Sequence, residues 1–291
     1  MTRRLPLFLK NRPLSSSRKE LHARENYLFG MEEVTDKAIA RTKEAYGFSQ
    51  RLGLGKLYVC FSGGKDSVAL YGICRLAFGD SLLDCCEFHY NVTGIDHPEL
   101  VYFIREHFPF VQRDMYGKSM WDLILENRIP PTRLARYCCR ELKERGGEGR
   151  FCLTGVRWAE SSRRAVNRGI LESDGRILNA DNSDDRRLLE HCIPKRKHIC
   201  TPIVDWTDEH IWRFITEQDL PYCNLYDKGY DRLGCIGCPM DTRRRQVLDA
   251  YPKFRDQYLR TFSKMLEKRR EAGLSTEWKN EEEVMEWWLG K

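Results

Sequence analysis

The sequence of 291 residues has no stretch approaching the roughly 20 consecutive apolar residues that cross a bilayer, which excludes a membrane-spanning helix. The apolar stretch Leu5 to Leu9 is short and broken by Pro6, so a secretory signal core is not expected and a cytoplasmic setting is. No internal repeat recurs, which sets aside solenoids and propellers. Apolar residues are not scarce: hydrophobic residues make up 41% and charged ones 32%, the balance of a folded, very polar protein rather than a disordered one. At this length one main domain with appendages is expected.

Neither sign of charge dominates, the formal net charge being +6. The cations are clustered, however, and clustered cations attract phosphate-bearing partners. One group, including Arg3, Arg4, Lys10 and Arg12, lies in a basic arm; another, from Arg243 through Lys253, Arg260 and Lys268 to Arg270, follows a helical pattern. No reader motif decides between solvated helix faces and nucleic-acid contact, so both stay open. With no export signal expected, the 12 cysteines read as reduced thiols with metal-binding or catalytic uses, not as a disulfide framework. Cys60, Cys74, Cys85, Cys86 and Cys152 stand among apolar neighbours and read as small core residues.

Strand-like and helix-like segments alternate along the chain. Helices are expected over Asp36 to Leu52, Val68 to Phe78, His97 to His107 and Met120 to Asn127, and through Glu217 from a cap at Asp208. Strands are expected over Leu57 to Phe61, Leu83 to Tyr90, Phe108 to Gln112 and Arg150 to Thr154. This order implies right-handed crossovers and an α/β fold: an open, mostly parallel twisted sheet with helices on both faces. Residues 165–199 break the rhythm with Asp181 to Asp185 amid basic residues, and read as a surface insertion before regular structure returns at Ile203 to Trp206. Beyond Pro252, Phe254, Tyr258, Phe262, Met265 and Leu266 fall at spacings of four and three, the pattern of an amphipathic packing helix. The expected organisation is a basic arm and helix over 1–50, a main α/β domain over 51–240 and a helical extension over 241–291.

Between the first strand and its helix stands Ser62-Gly63-Gly64-Lys65-Asp66-Ser67. At such a junction unsatisfied backbone N–H groups and the positive helix end favour an anion, and two glycines let the backbone wrap closely round a phosphate. Lys65 would neutralise phosphate charge, while Asp66 or Ser67 would cap the helix or help hold Mg²⁺. The loop is not a Walker A motif, which needs glycine where Val59 stands and Ser or Thr where Asp66 stands. After the fourth strand, Gly155 to Arg164 offers Arg157 and Arg164 as phosphate or sulfate clamps, with Glu160 placed to hold one of them.

Cys138-Cys139 heads a helical segment, and Cys235-Ile236-Gly237-Cys238-Pro239 forms a tight turn. Two thiol pairs supply the four thiolates that an iron-sulfur cluster or a structural zinc requires. Adjacent cysteines are an awkward bite for one tetrahedral ion, whereas the separate irons of a cubane accept them, so a [4Fe-4S] cluster is preferred over zinc. Such a cluster would staple two distant stretches of chain. Cys223 is a candidate sulfur carrier as well as a candidate packing residue.

The Ser62 to Ser67 loop resembles the pyrophosphate-binding loop of the ATP pyrophosphatases, the adenine nucleotide alpha hydrolase-like group. A longer resemblance, across roughly residues 55–240, is to the phosphoadenosine phosphosulfate reductase family. It is carried by Thr93-Gly94-Ile95-Asp96-His97-Pro98-Glu99, by Gly155-Val156-Arg157-Trp158-Ala159-Glu160-Ser161 with Arg164, and by the cysteine pairs. The resemblance implies an adenine nucleotide, ATP among the candidates, bound through Ser62, Gly63, Gly64, Lys65, Asp66, Ser67, Gly155, Arg157 and Glu160. It also implies chemistry assisted by Lys65, Asp66, Arg157 and Arg164, and a [4Fe-4S] cluster on Cys138, Cys139, Cys235 and Cys238. Two departures stand out. No cysteine follows Cys238 in this sequence, whereas reductases of the family use a late nucleophilic cysteine; and the Ser-Gly-Gly-Lys-Asp-Ser loop is complete, whereas sulfonucleotide reductases commonly alter it. Both favour ATP cleavage at the α-β phosphate in an adenylating or sulfurtransferase-like enzyme, similar to the branch that installs sulfur in DNA, with a nucleic acid or a sulfur-donor protein as partner. A sulfonucleotide reductase releasing sulfite is the alternative, and a non-catalytic nucleic-acid-binding module a third reading.

Overall fold

The computed structural model describes residues 30–178 and 196–290, with Asp185 and Arg187 between them. The basic arm from Arg3 to Arg24, Asp181 to Asp184 and Cys192 lie outside the described residues. Seven strands form one sheet in the order β3-β2-β1-β4-β7-β5-β6. They are β1 Leu57–Cys60, β2 Cys86–Asn91, β3 Gln112–Asp114, β4 Arg150–Leu153, β5 Leu171–Ser173, β6 Arg176–Leu178 and β7 Lys197–Cys200. β1 runs parallel to both β2 and β4, and β4 parallel to β7. The expected α/β architecture is therefore present, closed at one edge by the β5-β6 hairpin, in which β5 runs antiparallel to both β6 and β7.

Residues 165–199, expected to form a surface insertion, contribute β5, β6 and most of β7 to this sheet. β5, β6 and β7 are short, and the strand signal of β5 is masked by Glu172, a buried carboxylate in its middle. Arg168 Nη1 at 2.8 Å and the Gly169 N–H at 3.2 Å satisfy that carboxylate, which is why a charged residue is tolerated there. Ile203 to Trp206, expected to be regular, is irregular, with a turn over residues 202–205, although Ile203, Val204 and Trp206 are buried. The third strand is also displaced from Phe108–Gln112 to Gln112–Asp114. Phe108 and Phe110 instead pack in an aromatic cluster, Phe108 at 4.7 Å from Phe61 and Phe110 at 5.4 Å from Phe88 between ring centroids. Their hydrophobicity reports burial of a turn, not of a strand. Leu83 to Cys85, expected at the head of β2, belongs to a single helical turn, Leu82–Cys85.

The chain divides into two compact units, each assembled from separate stretches. The first contains residues 30–90, 103–112 and 147–231, with β1, β4, β7 and the β5-β6 hairpin. Helix α1, Met31–Arg51, begins five residues before its expected start and is tied down by Arg41, whose guanidinium grips both oxygens of Asp205 at 2.9 Å. Helix α2, Lys65–Phe78, buries Val68, Leu70, Ile73 and Cys74, and ends at Gly79, whose φ of 54° lies in the region glycine favours. A Cβ on Gly72 would lie 2.6 Å from Phe214 and 2.7 Å from Leu220, so glycine there lets the chain of helix α7, Asp208–Glu217, approach α2 closely. Here α3 is Pro98–His107, α4 Met120–Asn127, α5 Tyr137–Leu142 and α6 Ser162–Asn167.

The second unit contains residues 91–102, 113–146 and 232–290. Its helices include α4, α5, α8 Arg244–Ala250, α9 Pro252–Glu271 and α10 Glu281–Leu289. The periodic residues Tyr258, Phe262, Met265 and Leu266 of α9 are buried, as an amphipathic packing helix requires. Tyr258 donates its hydroxyl to the Ile236 carbonyl at 3.0 Å, and the Trp288 indole N–H donates to Pro131 O at 2.7 Å. Among the described residues no helix is long and apolar enough to cross a membrane.

Candidate functional site

The first unit holds the glycine loop at the junction of β1 and α2. Gly63 takes φ of 72°, a left-handed conformation that glycine adopts without strain, and Gly64 is the N-cap of α2 in an extended conformation. Gly64, as N-cap, offers no side chain of its own to cap this helix end. Ser67 Oγ instead donates to the Gly64 carbonyl at 2.8 Å. Among the loop amides, Gly64 N–H reaches Ser62 Oγ at a long 3.4 Å, and Lys65 N–H donates to Tyr226 Oη at 2.9 Å. The amides of Gly63, Asp66 and Ser67 make no hydrogen bond to any described residue. Three donors at the positive end of a 14-residue helix are thus unengaged, an arrangement suited to an anion.

Gly155 brings the loop after β4 against this helix end. A Cβ there would lie 2.9 Å from Asp66 O and 3.1 Å from Asp66 C, so only glycine fits. Two residues on, Arg157 turns inward and is 1% exposed. Its Nε donates to Asp66 Oδ1 at 2.6 Å, Nη2 to Asp208 Oδ1 at 2.7 Å and Nη1 to Trp206 O at 3.1 Å. Burial works against the guanidinium charge, but Asp66 and Asp208 more than offset it and hold the pKa above its ordinary value. Asp208 is the counterpart: burial of its inner oxygen disfavours the carboxylate, yet Arg157 and Lys65 hold its pKa below the usual range. Its side chain is 67% exposed overall, with Oδ1 directed at the guanidinium. Lys65 Nζ lies 3.6 Å from Asp208 Oδ1 and 3.8 Å from Asp66 Oδ2, and donates to Asp231 O at 3.2 Å.

The structure thus gathers Ser62 to Ser67, Gly155 and Arg157 round one helix end. Arg157, read from sequence as a clamp for an anion, has its guanidinium engaged by protein carboxylates. Arg164 is paired with Glu160, whose Oε1 also accepts the Arg157 backbone N–H at 3.0 Å. Glu160 therefore holds an arginine, as the spacing anticipated, and that arginine is Arg164. The remaining Arg164 donors have no partner among the described residues apart from its backbone N–H on Ser161 Oγ. Two neighbours escaped the sequence reading. Asp208 was expected as a helix cap, but Thr207 is the N-cap, its Oγ1 accepting from His210 N–H at 3.2 Å, and Asp208 joins Arg157. Tyr226 had no local signal at all. Cys223, weighed as a sulfur carrier, is fully buried and stands as a packing residue.

The second unit holds the four candidate ligands. Cys138 and Cys139 lie on α5, and Cys235 forms an isolated antiparallel bridge with Asp96, reinforced by Ile236 N–H on Ile95 O at 2.7 Å. Thr93 donates to Asp96 Oδ2 at 2.7 Å, and Cys235 Sγ lies 3.8 Å from Asp96 Oδ1. The turn between Cys235 and Cys238 needs glycine: Gly237 has φ of 75°, and a Cβ there would meet Trp288 at 2.8 Å. The proximity of Cys138 and Cys139 raises the pKa of the first and lowers that of the second, where Arg136 adds to the effect. Cys235 and Cys238 are near enough to raise the Cys138 pKa further. Burial pushes Cys235 up to about 11. Among the described residues no group of three or more His, Cys, Asp or Glu side chains stands ready to hold a single metal ion.

The chain matches the phosphoadenosine phosphosulfate reductase domain over residues 56–241, well over half its length. It belongs to that family. An uncharacterised protein of Methanocaldococcus jannaschii is 25% identical over 193 residues, covering 62% of this chain and 35% of the relative. The adenosine 5'-phosphosulfate reductase of Salinibacter ruber is 29% identical over 137 residues, covering 45% of this chain and 43% of that enzyme. The chain therefore spans less than half the length of either relative. Among solved structures, the U34-tRNA thiolase NcsA from Methanococcus maripaludis, determined with its [4Fe-4S] cluster, aligns with a TM-score of 0.42 and 14% identity over 85% of this chain and 83% of that one. The family match encloses the glycine loop, Gly155 to Arg164 and all four cysteines of the pairs.

Proposed function

We propose that this member of the phosphoadenosine phosphosulfate reductase family binds ATP with its pyrophosphate tail over Ser62 to Ser67 and cleaves it between the α and β phosphates to adenylate an acceptor in sulfur transfer. The observation that carries the reading is the set of unengaged amides at Gly63, Asp66 and Ser67, at the head of α2 and beside a glycine pair. In the reaction an acceptor nucleophile attacks the α-phosphorus, the bond from that phosphorus to the bridging oxygen breaks, and pyrophosphate departs with the electron pair. Charge develops on the leaving phosphates, where fixed N–H dipoles stabilise it without reorganising. Lys65 adds a cation by turning from Asp208, 3.6 Å away, toward the phosphate. Arg157 is a positioning residue: it fixes Asp66 and Asp208, and each of its three guanidinium nitrogens donates to a protein oxygen. Arg164, steadied by Glu160, offers its remaining donors to the adenylate.

Asp66 Oδ2 has no hydrogen bond among the described residues, and the Ser67 hydroxyl is within 3.3 Å of Ser62 Oγ. Hard oxygen donors of this kind suit Mg²⁺, which would neutralise phosphate charge when bound. The donor set Cys138, Cys139, Cys235 and Cys238 suits a [4Fe-4S] cluster better than zinc, since a cubane presents a separate iron to each thiolate and does not require convergence on one ion. Bound there by all four thiolates, it would supply a site able to pass electrons.

The test is ATP-pyrophosphate exchange and acceptor-dependent pyrophosphate release by anaerobically purified, iron-loaded protein. Release that depends on acceptor and is lost in Lys65→Ala supports the proposal, and absence of ATP binding refutes it. The similarity to adenosine 5'-phosphosulfate reductases favours one second reading, reduction of an adenylyl sulfate. Sulfite formed from an adenylyl sulfate and a dithiol reductant, without pyrophosphate from ATP, would select it.

A further inference from the structure

One group beside the loop remains without an assigned role. Tyr226 is 8% exposed, and its hydroxyl oxygen accepts the Lys65 N–H, the first amide of α2, at 2.9 Å. The same hydroxyl's own proton has no acceptor among the described residues. A buried O–H that accepts but does not donate is incompletely satisfied, and its vacant direction calls for an acceptor from outside the chain. The tyrosine is also held firmly. Its ring packs edge-on to Trp212 at 5.0 Å, and the Lys65 ammonium lies 5.8 Å from its centroid. A Cβ on Gly64 would stand 3.5 Å from the hydroxyl, so the phenol lies over the glycine pair itself.

The consequence is a set of donors with one missing acceptor. The amides of Gly63, Asp66 and Ser67 are unengaged, the Tyr226 proton is unengaged, and the Lys65 amide is linked to the outside through the Tyr226 oxygen. A hydroxyl that accepts from an amide at a helix N-terminus is polarised by it and becomes the stronger donor. The phenol is neutral, because burial raises its pKa and the Lys65 N–H only partly counters that. It therefore keeps a proton to offer.

We propose that Tyr226 is a phosphate ligand of this site, donating its hydroxyl proton to a phosphoryl oxygen of the pyrophosphate tail and relaying the Lys65 amide to it. This rests on the nucleotide reading above and adds to it a residue 161 positions from the loop. Tyr226 thereby selects for a condensed phosphate chain rather than for the nucleoside.

The test is calorimetric titration of the full chain with inorganic pyrophosphate, ATP and adenosine, comparing wild type, Tyr226→Phe and Trp212→Phe. Phenylalanine keeps the ring and its packing and removes only the hydroxyl, whose bond to a charged acceptor corresponds to about ten-fold or more in affinity. The expected result is that loss for pyrophosphate and ATP in Tyr226→Phe, with adenosine unaffected, and near wild-type binding of all three in Trp212→Phe. Equal pyrophosphate binding by wild type and Tyr226→Phe overturns the tyrosine's role and leaves the nucleotide reading standing. An equal loss in Trp212→Phe assigns the effect to packing and also overturns it. Wild-type protein that binds neither pyrophosphate nor ATP overturns both.

Discussion

Gly155→Ala isolates the close approach on which the phosphate site depends. The added methyl would lie 2.9 Å from Asp66 O, 3.1 Å from Asp66 C and 3.4 Å from Ser67 N. All three are backbone atoms at the head of α2, so no flexible side chain can swing away. Either the loop after β4 or the first turn of α2 must shift by several tenths of an ångström. Overpacking of this kind costs about 1–3 kcal/mol. For domains of about 150–250 residues each kcal/mol lowers the melting temperature by about 2–4 °C. Because the crowded atoms belong to Asp66 and Ser67, a shift of the first turn of α2 displaces two of the three unengaged amides, and phosphate affinity should then fall by about ten-fold beyond any stability loss. Gly234→Ala is the matched control, because its added methyl meets nothing within 4 Å. Thermal melts and pyrophosphate titrations of both variants decide the matter. A Gly155→Ala protein with wild-type melting temperature and wild-type affinity would refute the geometry.

Other expectations follow from the same residues. Arg157→Leu leaves Asp66 and Asp208 with only the more distant Lys65 as a shared cation, and should destabilise the first unit by about 3 kcal/mol in chemical denaturation, a buried pair broken on one side. Because the Asp208 pKa is depressed in the folded chain, its contribution is present above the ordinary carboxylate pKa of about 3.9 and is lost as pH falls through the lower folded value. The stability gap between wild type and Asp208→Asn should accordingly be full near neutrality and shrink below about pH 4, as read from urea melts; a gap that widens on acidification contradicts the ion pair. Cys235→Ser should strip iron and acid-labile sulfide from anaerobically purified protein, whereas Cys74→Ser, a buried thiol of the sheet-packing helix, should leave both in place. Equal metal content in the two variants would remove Cys235 from the ligand set.

Several features were legible because their signals are local. The glycine loop sits between an apolar strand and an apolar helix, and the structure places it there. Met120–Asn127 was bounded correctly, since Ser119 and Asp122 form a capping box only three residues apart. The spacing of Tyr258, Phe262, Met265 and Leu266 announced the buried face of α9. Where local signals mislead, they do so for identifiable reasons: Glu172 disguises β5 because its charge is matched by Arg168, and Phe108 and Phe110 mark a buried aromatic turn ahead of the polar strand Gln112–Asp114.

By itself, then, the sequence determined the chemistry on offer: an α/β chain, a phosphate-sized glycine turn, two arginines beyond the fourth strand and two pairs of thiols. Only the tertiary structure decided who partners whom. Arg157 meets Asp66 across 91 positions and Asp208 across 51, and Tyr226 reaches Lys65 across 161. Helical and strand periodicities act over a few residues and carry no record of such pairings. The pairings arise because a buried guanidinium must find carboxylates and a buried hydroxyl must find an amide, and which ones lie within reach is settled by how the sheet brings its strand ends together.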